Sequence, residues 1–174
     1  EEHLERPYVW LLDADIEVEP GLLNGLLERL GSGTDSEVGP NAGEKQVGLV
    51  SLMAQLPMQS FVECALLPAF VYFFKLLYPF ALSNNPRSRV AAAAGGCVLL
   101  RREALLKIGG FASLRSALID DCTLARLVKG AGYPIWTGLS RNLHSRRASG
   151  GWVGIWSMVS RNAYTQLGYT WYAL

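Results

Sequence analysis

Tyr8-Val9-Trp10-Leu11-Leu12, followed directly by Asp13-Ala14-Asp15-Ile16, joins a run of apolar residues to two carboxylates. The run has the length of a strand buried on both faces, and its abrupt stop puts Asp13 and Asp15 at the carboxyl end. In open α/β sheets ligands collect at that end. Two carboxylates separated by one residue project to the same side of an extended chain, so the pair suits a divalent cation that neutralises a diphosphate. The alternative is a pair of solvent-exposed turn acids. A strand of this kind sits inside a sheet, so a chain opening at Glu1 is expected to begin within its domain, with further elements upstream.

Downstream, helical and extended patterns alternate. Leu22, Leu23, Leu26, Leu27 and Leu30 form one apolar stripe at helical spacing, with Pro20 suited to the first helical position and Gly31 to the stop. Residues 31–46, rich in Gly, Ser, Pro and charge, read as a surface loop, and Val47 to Met53 as a second strand. Phe61 to Leu82 is strongly apolar and aromatic but holds Glu63, Lys75, Pro68 and Pro79, which a membrane-spanning helix would not readily accept. Two readings stay open for it. One is a segment lying in a bilayer interface or covering the sheet, with Tyr72, Phe73, Phe74, Tyr78 and Phe80 toward apolar surroundings; the other is a proline-kinked core helix.

Ala91 to Leu100 reads as a small-residue turn entering a strand, and Arg102 to Ile108 as a short helix ended by Gly109 and Gly110. Asp121 to Lys129 is a further helix, and Tyr133 to Thr137 a short strand followed by a basic loop. Trp152, Trp156, Val159, Ala163 and Leu167 recur at helical spacing, and the terminal GYTWYAL is expected to open a membrane segment. This alternation predicts an α/β layer fold, and 174 residues suit one domain, residues 1–174.

Charge is divided unevenly along the chain. Up to Asn85 there are 4 basic and 12 acidic residues, and from Pro86 onward 12 basic and 3 acidic. The basic half favours an anionic partner. Nucleic acid is not expected, because the arginines form no recognisable binding motif and the aromatic run is too apolar for a stacking platform. Cys64, Cys97 and Cys122 are far apart, with neither a CxxC pair nor a His at ligand spacing, so they are expected to be reduced core residues in a cytosolic setting.

Two further constellations can carry chemistry. Asp120-Asp121 precedes a helix, where one acid is explained by capping and the other is available to take a proton from an acceptor hydroxyl. Arg141, His144, Arg146, Arg147, Trp152, Trp156 and Arg161 combine guanidinium groups able to grip a diphosphate with rings able to stack on a sugar or sit at a membrane surface. A surface or core role suits His144 better than catalysis, since no nucleophile accompanies it.

The order of these motifs resembles that of family 2-like, inverting GT-A glycosyltransferases: strand-DAD-I, then GGCVLLRREALLKIGGF at 95–111, then IDDCTLARLVKGAGYPIW at 119–136, then a basic loop and helix. Within them the chain is most similar to the ceramide glucosyltransferase-like branch, and in SMVSRNAYTQLGY to the bacterial hopene-associated glycosyltransferases. The resemblance implies a partial GT-A, Rossmann-like nucleotide-diphospho-sugar transferase domain lacking its N-terminal strands. It also implies that Asp13 and Asp15 contact the nucleotide sugar and a Mg²⁺ or Mn²⁺ ion, and that Asp121 is the catalytic base with Asp120 beside it. Gly95, Gly96, Arg101, Arg102 and Gly109 to Phe111 correspond to the segment shaping the donor and acceptor pocket. Of the closing QxxRW motif only Arg161 is matched, with Met158 in place of Gln and Asn162 in place of Trp.

The expected activity is inverting transfer of a hexose-type sugar from a nucleotide diphosphate to a hydroxyl on a hopanoid or sphingolipid-like lipid. Substrate contacts are expected from Asp13, Gly95, Gly96, Arg101, Arg146 and Arg161, at the cytoplasmic face of a bacterial inner membrane. Two rivals predict different behaviour: a non-catalytic membrane-surface module, and a metal-dependent phosphohydrolase releasing free phosphate.

Overall fold

The computed structural model describes residues 6–31, 46–114, 120–147 and 150–166, with side chains at 120 and 161–166 excluded. Most of the 31–46 loop and the terminal GYTWYAL lie outside the described residues. The described part is a mixed sheet with helices on both faces. Its strands are β1 (Tyr8–Leu12), β2 (Ile16–Val18), β3 (Leu49–Gln55), β4 (Cys97–Arg101) and β5 (Ile135–Ser145), in the order β1-β4-β3-β5-β2. β3 and β5 pair in parallel and the other neighbours are antiparallel.

The pleat sorts the strand residues between two cores. Val98 and Leu100 of β4 join Leu49 on the face covered by Ala104 and Leu105 of α4 (Arg102–Lys107) and Leu124, Ala125 and Val128 of α5 (Asp120–Gly130). Cys97 and Leu99 join Val50 and Leu52 on the face covered by Leu26 and Leu30 of α1 (Leu22–Leu30). β4 is buried on both sides, which is why Cys97 to Leu100 contains no polar residue. β1 lies at a sheet edge among the described strands, and only Val9 of it is fully buried.

Several local expectations are corrected. α1 starts at Leu22 behind a left-handed Gly21, so Pro20 precedes the cap instead of opening the helix; Gly31, also left-handed, ends it as expected. β2 has no counterpart in the sequence reading, because three residues are too few to show a period. β5 runs to Ser145, so Arg141 and His144 belong to a strand and not to a loop.

The segment 61–82 forms α2 (Phe61–Leu77) and a short α3 (Phe80–Ser83). Glu63 is buried because it closes a capping box, accepting from the backbone N–H groups of Gln59 and Ser60 while Ser60 Oγ accepts from Glu63 N–H. α2 covers the sheet on one side only. Phe74, with Tyr78 and Phe80, packs on Ala92 and Cys122, whereas Tyr72 and Phe73 remain 63% and 64% exposed. α6 (Gly151–Gln166) lies against α2, with Trp152 stacked on Trp156 and both rings largely exposed. Among the described residues no helix is long and apolar enough to cross a membrane.

Candidate active site

At the carboxyl ends of β1, β3 and β5 a cavity of about 290 Å³ is lined by Asp13, Asp15, Ala54, Gly95, Gly96, Asp121, Ser145 and Arg147, among others. Three of its walls have separate causes. Asp13 and Asp15 sit in a turn, closed by Ile16 N–H donating to Asp13 O, and not on extended chain. This turn leads from β1 into β2, and Asp13 N–H continues the ladder to Gly96 O. Ser145 Oγ donates to Asp15 Oδ2 at 2.9 Å and Arg146 N–H to Asp15 O at 2.8 Å, so the end of β5 holds Asp15 by side chain and backbone.

The second wall is the irregular segment 91–96. Its backbone groups find side-chain partners, as buried polar groups must. Ser51 Oγ bonds both Ala94 N–H and Ala94 O, Ser83 Oγ accepts from Ala92 N–H, and Thr137 Oγ1 donates to Ala92 O. Lys129 Nζ ties Ser83 O and Val90 O from α5, and burial lowers its ammonium from the ordinary value. These ties bring Gly95 and Gly96 to the cavity.

The third wall is the first turn of α5. Asp121 lies so close to Gly95 that a Cβ there would meet Asp121 Oδ2 at 2.1 Å, and a Cβ on Gly96 would meet Ile16 Cδ1 at 3.2 Å. Neither glycine can acquire a side chain without moving its neighbour.

Of the residues expected to form the site, the cavity brings together Asp13, Asp15, Gly95, Gly96 and Asp121. Arg101 stands elsewhere. It pairs with Tyr8 at the start of β1, at the far end of β4 and about 13 Å from Cys97, which follows the cavity residue Gly96, at the usual rise per residue, and donates to Val47 O and Leu30 O. Arg102 follows it, its N–H donating to Pro7 O, and neither Arg102 nor Gly109 to Phe111 lines the cavity. Arg146 turns outward and pairs with both oxygens of Glu17 at 2.8 and 2.7 Å; this hydrogen-bonded guanidinium holds the Glu17 carboxyl below its ordinary range and raises Arg146 itself. His144 contacts Glu19 at the surface, as its reading implied. The side chains of Asp120 and Arg161 lie outside the described residues, although both positions are helical.

Sequence reasoning passed over Ser145 and named Arg147 only within the basic stretch, choosing Arg146 and Arg161 as the substrate contacts. The signal was available: with 135–145 read as a strand, Leu143 and Ser145 share the inward face and His144 points outward. Among the described residues, no group of three or more His, Cys, Asp or Glu could hold a metal by itself. Two carboxylates supplying hard oxygen ligands still fit Mg²⁺ or Mn²⁺, which keep waters and take further oxygens from substrate phosphates.

The sequence profile of glycosyl transferase family 21 matches residues 2–161. The chain belongs to glycosyl transferase family 21. That family is ceramide glucosyltransferase-like, so the match agrees with the branch-level resemblance and carries nothing specific to hopanoids. The family 21 chain is therefore a glycosyltransferase, using a nucleotide-sugar donor and an acceptor, and the reading as a non-catalytic module is set aside. No curated protein matches the chain.

Proposed function

We propose that the enzyme transfers a hexose-type sugar, with inversion, from a nucleoside diphosphate to a hydroxyl group on a lipid. The observation that carries the reading is the convergence of Asp13, Asp15 and Asp121, more than a hundred residues apart in sequence, on one cavity at the carboxyl edge of the sheet. Asp121 takes the acceptor proton, the acceptor oxygen forms its bond to the anomeric carbon from the face opposite the phosphate, and the nucleoside diphosphate departs. Asp13 and Asp15, the latter oriented by Ser145, are the residues that would hold Mg²⁺ or Mn²⁺. Such a cation would offset the negative charge of the departing diphosphate.

A lipid acceptor, hopanoid or sphingolipid-like, is supported by a groove of about 300 Å³ between α2 and α6. Phe70, Phe73, Phe74, Trp152, Ile155 and Trp156 are among the residues lining it, and Phe70 and Phe74 also line the carboxylate cavity. An acceptor whose hydrocarbon occupies this groove has its hydroxyl near Asp121. The exposed rings of Tyr72, Phe73, Trp152 and Trp156 on the same helices suit contact with a bilayer surface, in this reading the cytoplasmic face of a bacterial inner membrane.

The test is Asp121→Asn in the full-length enzyme. Transfer should fall by at least about 100-fold, within the usual range for losing a general base, while nucleotide-sugar affinity stays within about threefold. Near-normal transfer would remove Asp121 from the role. Release of free phosphate without glycosylated product would replace transfer by phosphate hydrolysis.

A further inference from the structure

Three carboxylates line the cavity, yet the donor that must enter carries a diphosphate. Anion recognition there needs positive charge beyond any bound cation, and the described lining residues include one cationic side chain, Arg147. The two arginines that follow β5 have different fates. Arg146 is held by Glu17 at the surface. Arg147 lines the cavity, and among the described residues its guanidinium makes no hydrogen bond or ion pair. Its backbone N–H donates to Ser145 Oγ at 3.2 Å, the same hydroxyl that donates to Asp15 Oδ2. One serine therefore ties the Arg147 backbone to a carboxylate of the proposed cation site.

The geometry points to Arg147 as the side chain that receives the donor's diphosphate and stabilises it as it leaves. A guanidinium presents paired N–H donors matched to phosphate oxygens, and such charge-assisted bonds are roughly twice as strong as neutral ones. In the transfer, the bond between the anomeric carbon and the phosphate oxygen breaks with its electron pair going to that oxygen. The acceptor oxygen bonds the same carbon, and the acceptor proton passes to Asp121. Arg147 then faces the oxygens whose charge has grown, so its contribution is larger in the transition state than in the bound donor. The assignment rests on the placement of the donor beside Asp13 and Asp15 and is independent of the nature of the acceptor.

The experiment uses the full-length enzyme with Arg147→Ala, Arg147→Lys and, as a neighbour outside the cavity, Arg146→Ala. Turnover, the KM for each substrate and inhibition by the free nucleoside diphosphate and the bare nucleoside are measured, with thermal unfolding as the check on folding. Arg147→Ala should weaken inhibition by the diphosphate at least about tenfold and lower kcat, leaving inhibition by the nucleoside and the acceptor KM within about twofold. Arg147→Lys should recover part of the loss, and Arg146→Ala should match the parent. Unchanged diphosphate inhibition in a folded Arg147→Ala enzyme overturns the assignment, whether or not turnover falls. If Arg147→Ala does not fold, Arg147→Lys decides: parental diphosphate inhibition and kcat in that variant also overturn it. Failure of the Asp121 assignment reads differently, as normal transfer by Asp121→Asn.

Discussion

Gly95 shows how one atom can set the geometry of the site. With its Cβ position 2.1 Å from Asp121 Oδ2, an added methyl must displace the carboxylate or the segment 91–96, which Ser51, Ser83 and Thr137 hold in place. Gly95→Ala is expected to lower transfer about 100-fold, the scale of a 1 Å misplacement at a reacting group, with a melting temperature within a few degrees of the parent. Parental activity in this variant would show that the Asp121 position is not set by Gly95. The glycine pair and both acids were legible as a motif. Their contact was not, because Gly95 and Asp121 meet through the packing of α5 on the 91–96 segment. Arg101 and Arg146 illustrate the converse. Each stands in a sequence context that suggests substrate contact, and each is occupied instead by partners that only the tertiary fold supplies, Val47 O and Leu30 O at the end of α1 for one and Glu17, brought by the pairing of β2 with β5, for the other.

At the scale of elements, α2 shows why hydropathy alone misassigns an end. Glu63 reads in sequence as a charge that obstructs membrane burial; in the fold it is 7% exposed and forms half of the capping box with Ser60. Ser60→Ala removes the acceptor for Glu63 N–H and should lower unfolding free energy by about 1 kcal/mol, a fall of roughly 2–4 °C in melting temperature for a domain of this size. A melting temperature unchanged within error would mean that the box adds nothing beyond solvent. Pro68 lies inside α2, where it denies the Cys64 carbonyl its helical donor, so continuity of this helix depends on its apolar side packing beneath it. β5 was read as far as Thr137 because Gly138, Ser140 and Asn142 interrupt its apolar pattern. The strand persists since its backbone pairs with β3 and then β2, and Gly138 gives room to the Trp136 ring, which would lie 2.3 Å from a Cβ there.

For the whole molecule, the layered fold sorts the three cysteines by reactivity. Cys97 and Cys122 are buried, one on each side of the sheet, and Cys64 is exposed on α2, which corrects its expected place in a core. Burial raises both buried thiols above their ordinary value. Their share of stability is fully present below the unfolded-chain value of about 8.5 and is lost as pH rises through the folded values, because the unfolded chain releases those protons first. Peptide mapping after alkylation at about pH 7.5 to 9 should find Cys64 modified in the native protein, with Cys97 and Cys122 reacting only after denaturation. Rapid labelling of Cys97 or Cys122 in the native protein would contradict the burial of their layers. The same layering leaves the α2 and α6 aromatic residues on one surface beside the carboxylate cavity, a relation between segments more than seventy residues apart.

The sequence by itself determined the elements with strong periods, the acids at the end of the first strand, the glycines before β4 and the acid opening α5, together with the family-level resemblance. These depend on neighbours within a few residues, where spacing and residue type act directly on the backbone. The tertiary structure alone decided that the acids share one cavity, that Arg147 and not Arg146 faces it, and that an apolar groove opens beside it. Those outcomes follow from register between distant strands and from helix packing, in which a shift of one residue turns every side chain to the opposite face.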